Sequence, residues 1–384
     1  MKDFSIIKRI VNLDYVQKLL TKKNGQEFCN LVPLELKSRI GTPSVYGEVH
    51  LGKIGDLFVA VKKVQLQKKD TKGNISLQRH QFLQHESAWS EIAIFIISTI
   101  FLLTSMTQNV PLMYRYYYCQ ECVFENKEIS KKKSRCEIVV NELAEGDLKM
   151  YLEKKYKIFT PELVSNMLFQ VMSALYLFEK TLDLNHNDLH WGNILVHETI
   201  PGGYWEYIID DTSYYVPNLG YVFVLYDFGM VDIPDKIRSD FAYRNKKGED
   251  SDIDVVAGTV LEELLEKKMI THRHIMKYNV LFQITTNKQN ENHSLGTLIK
   301  KVFIPEYKHM PKNSIITANF NMDLPNDALK QVFPKELKHL LVDRLRKSSV
   351  PSIKKTSHVK EERKRFHKLS INDLEKMLKK MFIL

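Results

Sequence analysis

The feature that most constrains this chain is a pair of short apolar runs, each joined to a polar loop. The first loop reads His186-Asn187-Asp188-Leu189-His190-Trp191-Gly192-Asn193 and closes into Ile194-Leu195. The second follows Tyr221-Val222-Phe223-Val224-Leu225 and reads Tyr226-Asp227-Phe228-Gly229-Met230. Runs of this length, rich in β-branched and aromatic residues and bounded by Gly, Asn and Asp, predict short buried strands. A carboxylate at the end of such a strand, followed by Gly, is held rigidly. Any fold for this chain must therefore present two polar strand-end loops, in this order.

The residue types in those loops suit one chemistry. Asp188 precedes Asn193 by five residues, so a carboxylate can face an incoming hydroxyl and accept its proton. The amide oxygen one loop away can bind a metal that neutralises phosphates, and Asp227 supplies a second metal ligand. Each loop alone also reads as an ordinary polar turn; their order gives the pattern its weight. Upstream lies Val59-Ala60-Val61-Lys62-Lys63. Strand alternation sets Phe58, Ala60 and Lys62 on one face and Val59, Val61 and Lys63 on the other. Small Ala60 leaves room for a flat base, and Lys62 on the same face can reach phosphates. A lysine so placed needs a carboxylate to aim it. The helix predicted from about residue 82 to 104 offers Glu86 and Glu91, and Glu91 is preferred because it precedes the apolar face of Ile92, Phe95 and Ile96. The turn Ile40-Gly41-Thr42-Pro43-Ser44-Val45-Tyr46-Gly47-Glu48-Val49 is an irregular phosphate cradle. Gly41 and Gly47 are present, Ser44 stands where a middle Gly is expected, and there is one extra residue.

With these motifs in place the chain resembles the eukaryotic-type protein kinase superfamily over residues 36–330. His190-Trp191-Gly192-Asn193 and Val45-Tyr46-Gly47-Glu48-Val49 are similar to the haspin branch. The insert 204–221, with Tyr215-Val216-Pro217-Asn218-Leu219-Gly220-Tyr221, resembles haspin-like Ser/Thr kinases of large cytoplasmic DNA viruses. The resemblance implies an α+β bilobal fold, with a small antiparallel sheet and one helix in the N-lobe and a larger, mainly helical C-lobe. It implies ATP and Mg2+, a nucleotide site of Gly41, Gly47, Val49, Ala60, Lys62, Glu142 and Ala144, and a hinge over 142–144. Asp188, Lys62 and Glu91 would act in catalysis, Asn193 and Asp227 would hold metal, and a Ser/Thr side chain would receive the phosphoryl group. Three departures stand out. Asn187 replaces the usual Arg, so control through phosphorylation of an activation loop is not expected. His190 replaces the usual Lys. Only 22 residues separate Gly229 from Asp252, with no Ala-Pro-Glu between them, so the peptide platform is short. Asp252, or else Asp254, resembles the Asp that braces the catalytic loop.

Around this unit the sequence predicts a helical extension over 1–35 (Ile6, Ile7, Ile10, Leu13, Val16, Leu19, Leu20). It divides the kinase-like domain into lobes at 36–142 and 143–330, with a basic helical tail at 331–384. From Lys335 onward fifteen Lys and Arg face six Asp and Glu, so nearly all of the net charge of +10 lies there. Such a tail favours acidic partners such as nucleic acid, or acts simply as a solvated end. The longest nearly apolar run, 92–103, is too short to cross a membrane, and no signal peptide is apparent. An intracellular protein of the host cytoplasm or virion is expected. Four cysteines suit a reducing compartment. Cys119, Cys122 and Cys136 could supply three zinc ligands, but no fourth lies at a matching spacing, so they read as small buried residues of a strand pair. Two rival readings remain: a small-molecule kinase of the aminoglycoside or choline type, favoured by His190 and the short platform, and a kinase-like scaffold binding nucleic acid through its tail.

Overall fold

The computed structural model describes residues 6–20, 29–30, 33–41, 47–66, 87–124, 134–182, 184–231, 252–279, 281 and 295–323. Ser44, Val45, Tyr46, Glu86, the stretch 232–250 and the basic tail 331–384 lie outside the described residues, as does the side chain of Asp254.

The chain folds into two lobes of mixed α and β structure. The smaller is a five-stranded antiparallel sheet in the order β1-β2-β3-β5-β4, formed by β1 (Glu35–Ile40), β2 (Gly47–Ile54), β3 (Leu57–Gln65), β4 (Met113–Cys122) and β5 (Ser134–Glu142). Gly55 turns β2 into β3 at φ +55°, and a Cβ there would lie 2.2 Å from the Tyr15 hydroxyl, so any side chain would strain the turn and displace Tyr15 of the helix passing over it. Register decides which side chains share a face. Val49 pairs with Lys62, Ala60 with Asn141 and Lys62 with Val139. Val49, Ala60, Lys62 and Asn141 therefore line one face, while Val61, Lys63 and Cys136 line the other.

Two helices pack on this sheet. α1 (Ile6–Leu19) buries Arg9, Leu13 and Val16, one stripe at helical spacing. Ile7, counted with the apolar face from sequence, is 75% exposed, and Arg9 takes the inward position instead. α2 (Ser87–Leu103) is an apolar core helix that buries Ile92, Phe95 and Ile100 and carries Glu91. Among the described residues no helix is long and apolar enough to cross a membrane.

The larger lobe is built on α4 (Pro161–Leu182), preceded by α3 (Leu148–Lys154). Thr160 caps α4, its Oγ1 accepting from Leu163 N at 3.2 Å, and Pro161 occupies the first helical position. The face predicted from Leu163 to Phe178 is buried, but so is nearly the rest of the helix, as befits a central element. The short strand β6 (Gly146–Asp147) pairs with β7 (Ile194–Glu198), which pairs antiparallel with β10 (Tyr221–Leu225). The insert forms the hairpin β8 (Tyr204–Ile209) and β9 (Thr212–Pro217). Helices α5 (Asp252–Glu266), α6 (His272–Met276) and α7 (Leu295–Tyr307) follow. The region after Asp252 is not wholly helical, as its sequence suggested. β11 (Ile316–Asn321) lies parallel to β8 and completes a three-stranded sheet; with only Phe320 fully buried, it lacks a clear alternating signal.

Candidate active site

Lys62 sits in the middle of β3, and both its partners come from distant parts of the chain. Its Nζ donates to Glu91 Oε1 on α2 at 2.5 Å and to Asp227 Oδ1, just beyond β10, at 2.9 Å. Lys63 points the other way and pairs with Glu48 at 2.7 Å. Burial alone would lower the affinity of Lys62 for its proton, but the carboxylates of Asp227 and Glu91 more than reverse this, so it stays an ammonium. Burial pushes Glu91 up to about 7 against the pull of Lys62. Asp227 goes the other way, held below the usual range chiefly by the Lys62 charge. One ammonium thus faces two carboxylates, and the set carries a surplus of negative charge whenever both are ionised.

The loop 186–193 is fixed from three sides. Asp252 Oδ2 accepts from the backbone N–H of His186 at 2.8 Å and of Asn187 at 3.2 Å, so of the two carboxylates considered from sequence Asp252 is seen in the bracing position. Buried His186 is held toward its neutral form by desolvation; its Nε2 lies 2.9 Å from the Tyr226 carbonyl, so Nε2 carries the proton. Asn187 adopts φ +60° and donates through Nδ2 to Met230 O at 3.3 Å. Asn tolerates this left-handed backbone far better than Arg, which accounts locally for the departure at this position. Asn193 donates from Nδ2 to the Asp188 carbonyl at 2.8 Å, leaving Oδ1 as its remaining polar atom, and its own carbonyl accepts from Tyr226 N at 2.9 Å. Pairing of Ile194 with Leu225 brings Asn193 and Asp227 to the same end of β7 and β10. Asp188 is exposed beside this pair, while Asp227 stands at φ +61°. Phe228 turns inward against Phe95, Phe178 and His186, with ring centroids 5.8, 5.4 and 5.3 Å away. His190 accepts from Gly192 N at 3.0 Å through Nδ1, capping the turn before Asn193.

The structure therefore gathers Lys62, Glu91 and Asp227 directly, and links Asp188, Asn193 and Asp227 through backbone and strand pairing. Val49 and Ala60 share the face of Lys62. Ala144 is half-buried just after β5. Gly41 has φ +73° with open space around its Cβ position. At Gly47 a Cβ would sit 2.7 Å from the Lys63 carbonyl, so the β2–β3 approach itself requires glycine there, beside the approach of phosphates expected from sequence. Glu142, named with the hinge, has its carboxylate buried and held by Arg9 and by Leu112 N at 2.9 Å, and its backbone N–H donates to Leu112 O at 3.0 Å, so neither group is turned to a ligand. Two residues were missed from sequence. Arg9 was hidden by its charge, although its spacing to Leu13 and Val16 marks the buried face. Asn141 lies beside Ala60 on the cleft face and donates to the Tyr226 hydroxyl at 3.2 Å. Its Oδ1 is buried without a hydrogen-bond partner.

Comparison with known proteins agrees with this geometry. The family described as Haspin like kinase domain matches residues 4–299. A Frog virus 3 protein, in name a serine/threonine-protein kinase, is 31% identical over 144 residues, which are 37% of this chain and 16% of that protein. A second such protein, from Invertebrate iridescent virus 6, is 28% identical over 156 residues, covering 38% of this chain and 28% of its own length. A third, from Acanthamoeba polyphaga mimivirus, is 26% identical over 168 residues, covering 42% and 30%. The chain thus spans less than a third of the length of these relatives.

Proposed function

This chain belongs to the haspin-like kinase family, and from that premise we propose that it moves the γ-phosphoryl group of ATP to a Ser or Thr hydroxyl of a protein. The observation that carries the proposal is the meeting of Lys62, Glu91 and Asp227 across 165 positions of sequence. The residues fit a metal-bound nucleotide. Asn193 Oδ1 and the Asp227 carboxylate are hard oxygen donors of the kind Mg2+ takes. The surplus negative charge around Lys62 suits a divalent cation. Asn141 Oδ1, buried on the cleft face without a partner, is an acceptor suited to the exocyclic amine of a purine.

In this reading Lys62, aimed by Glu91, holds the α- and β-phosphates. Ala60 and Val49 pack the base, and the backbone of 142–144 borders it. Asn193 and Asp227 hold the metal, which when bound neutralises charge on the phosphates. Asp188 orients the acceptor hydroxyl and takes its proton as the phosphoryl group transfers in line. The catalytic unit is read as 36–330, and the basic tail 331–384 as a docking segment for an acidic partner.

The test is a labelled-ATP assay with histone and casein as acceptors, then small alcohols, paired with a thermal shift in ATP and Mg2+. Asp188→Asn is expected to lose about 10²–10⁴-fold in turnover while keeping the nucleotide-dependent shift. Undiminished turnover would remove Asp188 from its role; transfer to alcohols alone would move the substrate class to small molecules.

A further inference from the structure

All four cysteines of the chain gather in one place, on the face of the small sheet opposite the cleft. Cys119 and Cys122 are three residues apart, so a regular strand would point them to opposite faces. β4 is not regular there. Cys119 stands opposite Cys136 and Cys122 opposite Ser134, so three steps along β4 match two along β5. The extra residue is a bulge that turns Cys122 back to the face of Cys119. The sulfurs of Cys119, Cys122 and Cys136 consequently lie within 4.8 Å of one another, all three residues buried. The fourth sulfur, absent from the sequence reading, is that of Cys29. It arrives from before β1, 90 positions away from Cys119, with the two Cα atoms 5.0 Å apart.

In this structure the sulfurs are joined as Cys29–Cys119 and Cys122–Cys136, unlike the unpaired thiols that a reducing compartment favours. Three of the sulfurs already lie as close together as ligands of one ion need, and the fourth, that of Cys29, is bonded to one of them from an exposed segment, so opening that bond leaves it beside the three as the remaining ligand. A tetrahedral zinc with Zn–S bonds of about 2.3 Å requires sulfurs roughly 3.8 Å apart. Lys63, on the same sheet face and paired with Glu48, also donates to the carbonyl of Val123, next to Cys122, at 3.1 Å, which fixes the strand end that carries this ligand.

We propose that these four cysteines, as thiolates, hold one Zn2+ that staples the segment before β1 to the β4–β5 hairpin. Four sulfur ligands fill the tetrahedron and leave no open position, so the site is structural rather than catalytic. From the thiol form, four cysteines and one Zn2+ give a centre of net charge −2 and release four protons. From the paired form, two molecules of a dithiol first deliver four electrons and four protons. Both S–S bonds break, and the dithiol leaves as its own cyclic disulfide.

The experiment uses the full chain, purified without oxygen after growth with added zinc. Elemental analysis should find one zinc per chain, released when an organomercurial caps the thiols. Exchange for Co2+ should give thiolate-to-cobalt charge-transfer bands and the strong visible absorption of a tetrahedral site. Cys29→Ser alters the one exposed ligand and so leaves no core cavity; it should weaken zinc binding by at least about 100-fold. A chain that stays metal-free with added zinc and dithiol overturns the proposal. So does a Cys29→Ser protein with unchanged zinc affinity, and iron bound in place of zinc overturns the choice of metal.

Discussion

Two of the sets of opposite charge buried in the small lobe are built differently. Behind β5, Arg9 meets Glu142 in a two-pronged pair, with Nε 2.9 Å from Oε2 and the other prong closing on Oε1. The same guanidinium donates to the carbonyls of Gln108 at 2.7 Å and Val110 at 2.6 Å, while Glu142 also accepts from Leu112 N. One cation meets one anion, and the remaining donors reach backbone. In the cleft, one ammonium is shared by two carboxylates, one of them pushed up to about 7 by burial and the other half-open to solvent. The first set is closed and can only hold. The second is short of positive charge and can take another cation, which is what a metal–nucleotide site requires. A buried charge says little by itself; the balance of its partners separates a clamp from a working site.

The largest effect should come from opening the closed set. Arg9→Ala leaves the Glu142 carboxylate buried without its cation and should cost about 3–5 kcal/mol of stability, read from denaturant midpoints. A loss below about 1 kcal/mol would show that the pair is not the clamp described.

Lys62→Met is the matching change in the cleft, and its signature should be reversed. Activity should fall by about 10²–10³-fold, the usual result of removing one preorganised charge donor. Stability should fall by less than in Arg9→Ala, because Glu91 can remain protonated and Asp227 can turn to solvent. Equal destabilisation by the two variants would erase the distinction.

The third expectation concerns pH. Glu91 is raised from 4.5 to about 7 in the folded chain, so between those values the folded state holds a proton that the unfolded chain has released. The stability this group contributes is complete below the unfolded value and is lost as pH rises through about 7. Asp227 is shifted the opposite way and contributes above its unfolded value, losing that contribution only as pH falls through its lowered pKa. Glu91→Gln should therefore flatten the decline in unfolding free energy over the Glu91 window and leave the acid limb intact. A decline of unchanged steepness would assign it to another group.

How much of this was legible beforehand follows from sequence spacing. Lys62, Asp188, Asn193 and Asp227 lie at strand ends or on alternating strands, where local order fixes which residues cooperate, so their loops could be read directly. Glu91 could be chosen over Glu86 from the apolar face of its own helix. The closed set was illegible because Arg9 and Glu142 are 133 positions apart and a charged side chain argues against burial until its partner is known. The cysteine cluster was legible in part: Cys119, Cys122 and Cys136 stood together as three ligands in want of a fourth, but the bulge that turns Cys122 to the face of Cys119 leaves no mark on alternation read from one strand, and Cys29 comes from a segment whose path only the fold reveals. At Gly47 the close approach of the β3 backbone, a reason for glycine in addition to the phosphates, could not be read from spacing.

Asn141 offers the finest division between the two kinds of site, and here the expected effect is smallest. Its Nδ2 makes one bond, to Tyr226, while Oδ1 is buried without a partner. Replacing it by Leu removes an orphaned acceptor, whose burial costs roughly 1–3 kcal/mol, and forfeits a hydrogen bond of about 0.5–1.5 kcal/mol. The balance predicts a variant as stable as the parent or more stable by about 1 kcal/mol. If Oδ1 is kept for the amine of a purine, the same variant should show a smaller thermal shift with ATP and a less altered one with GTP, which presents a carbonyl at that position. Stability gained while nucleotide recognition is lost is the behaviour of a group held out of balance for a ligand. A loss above about 2 kcal/mol, with the ATP shift intact, would instead place Asn141 with Arg9 and Glu142 among the groups that only hold the lobe together.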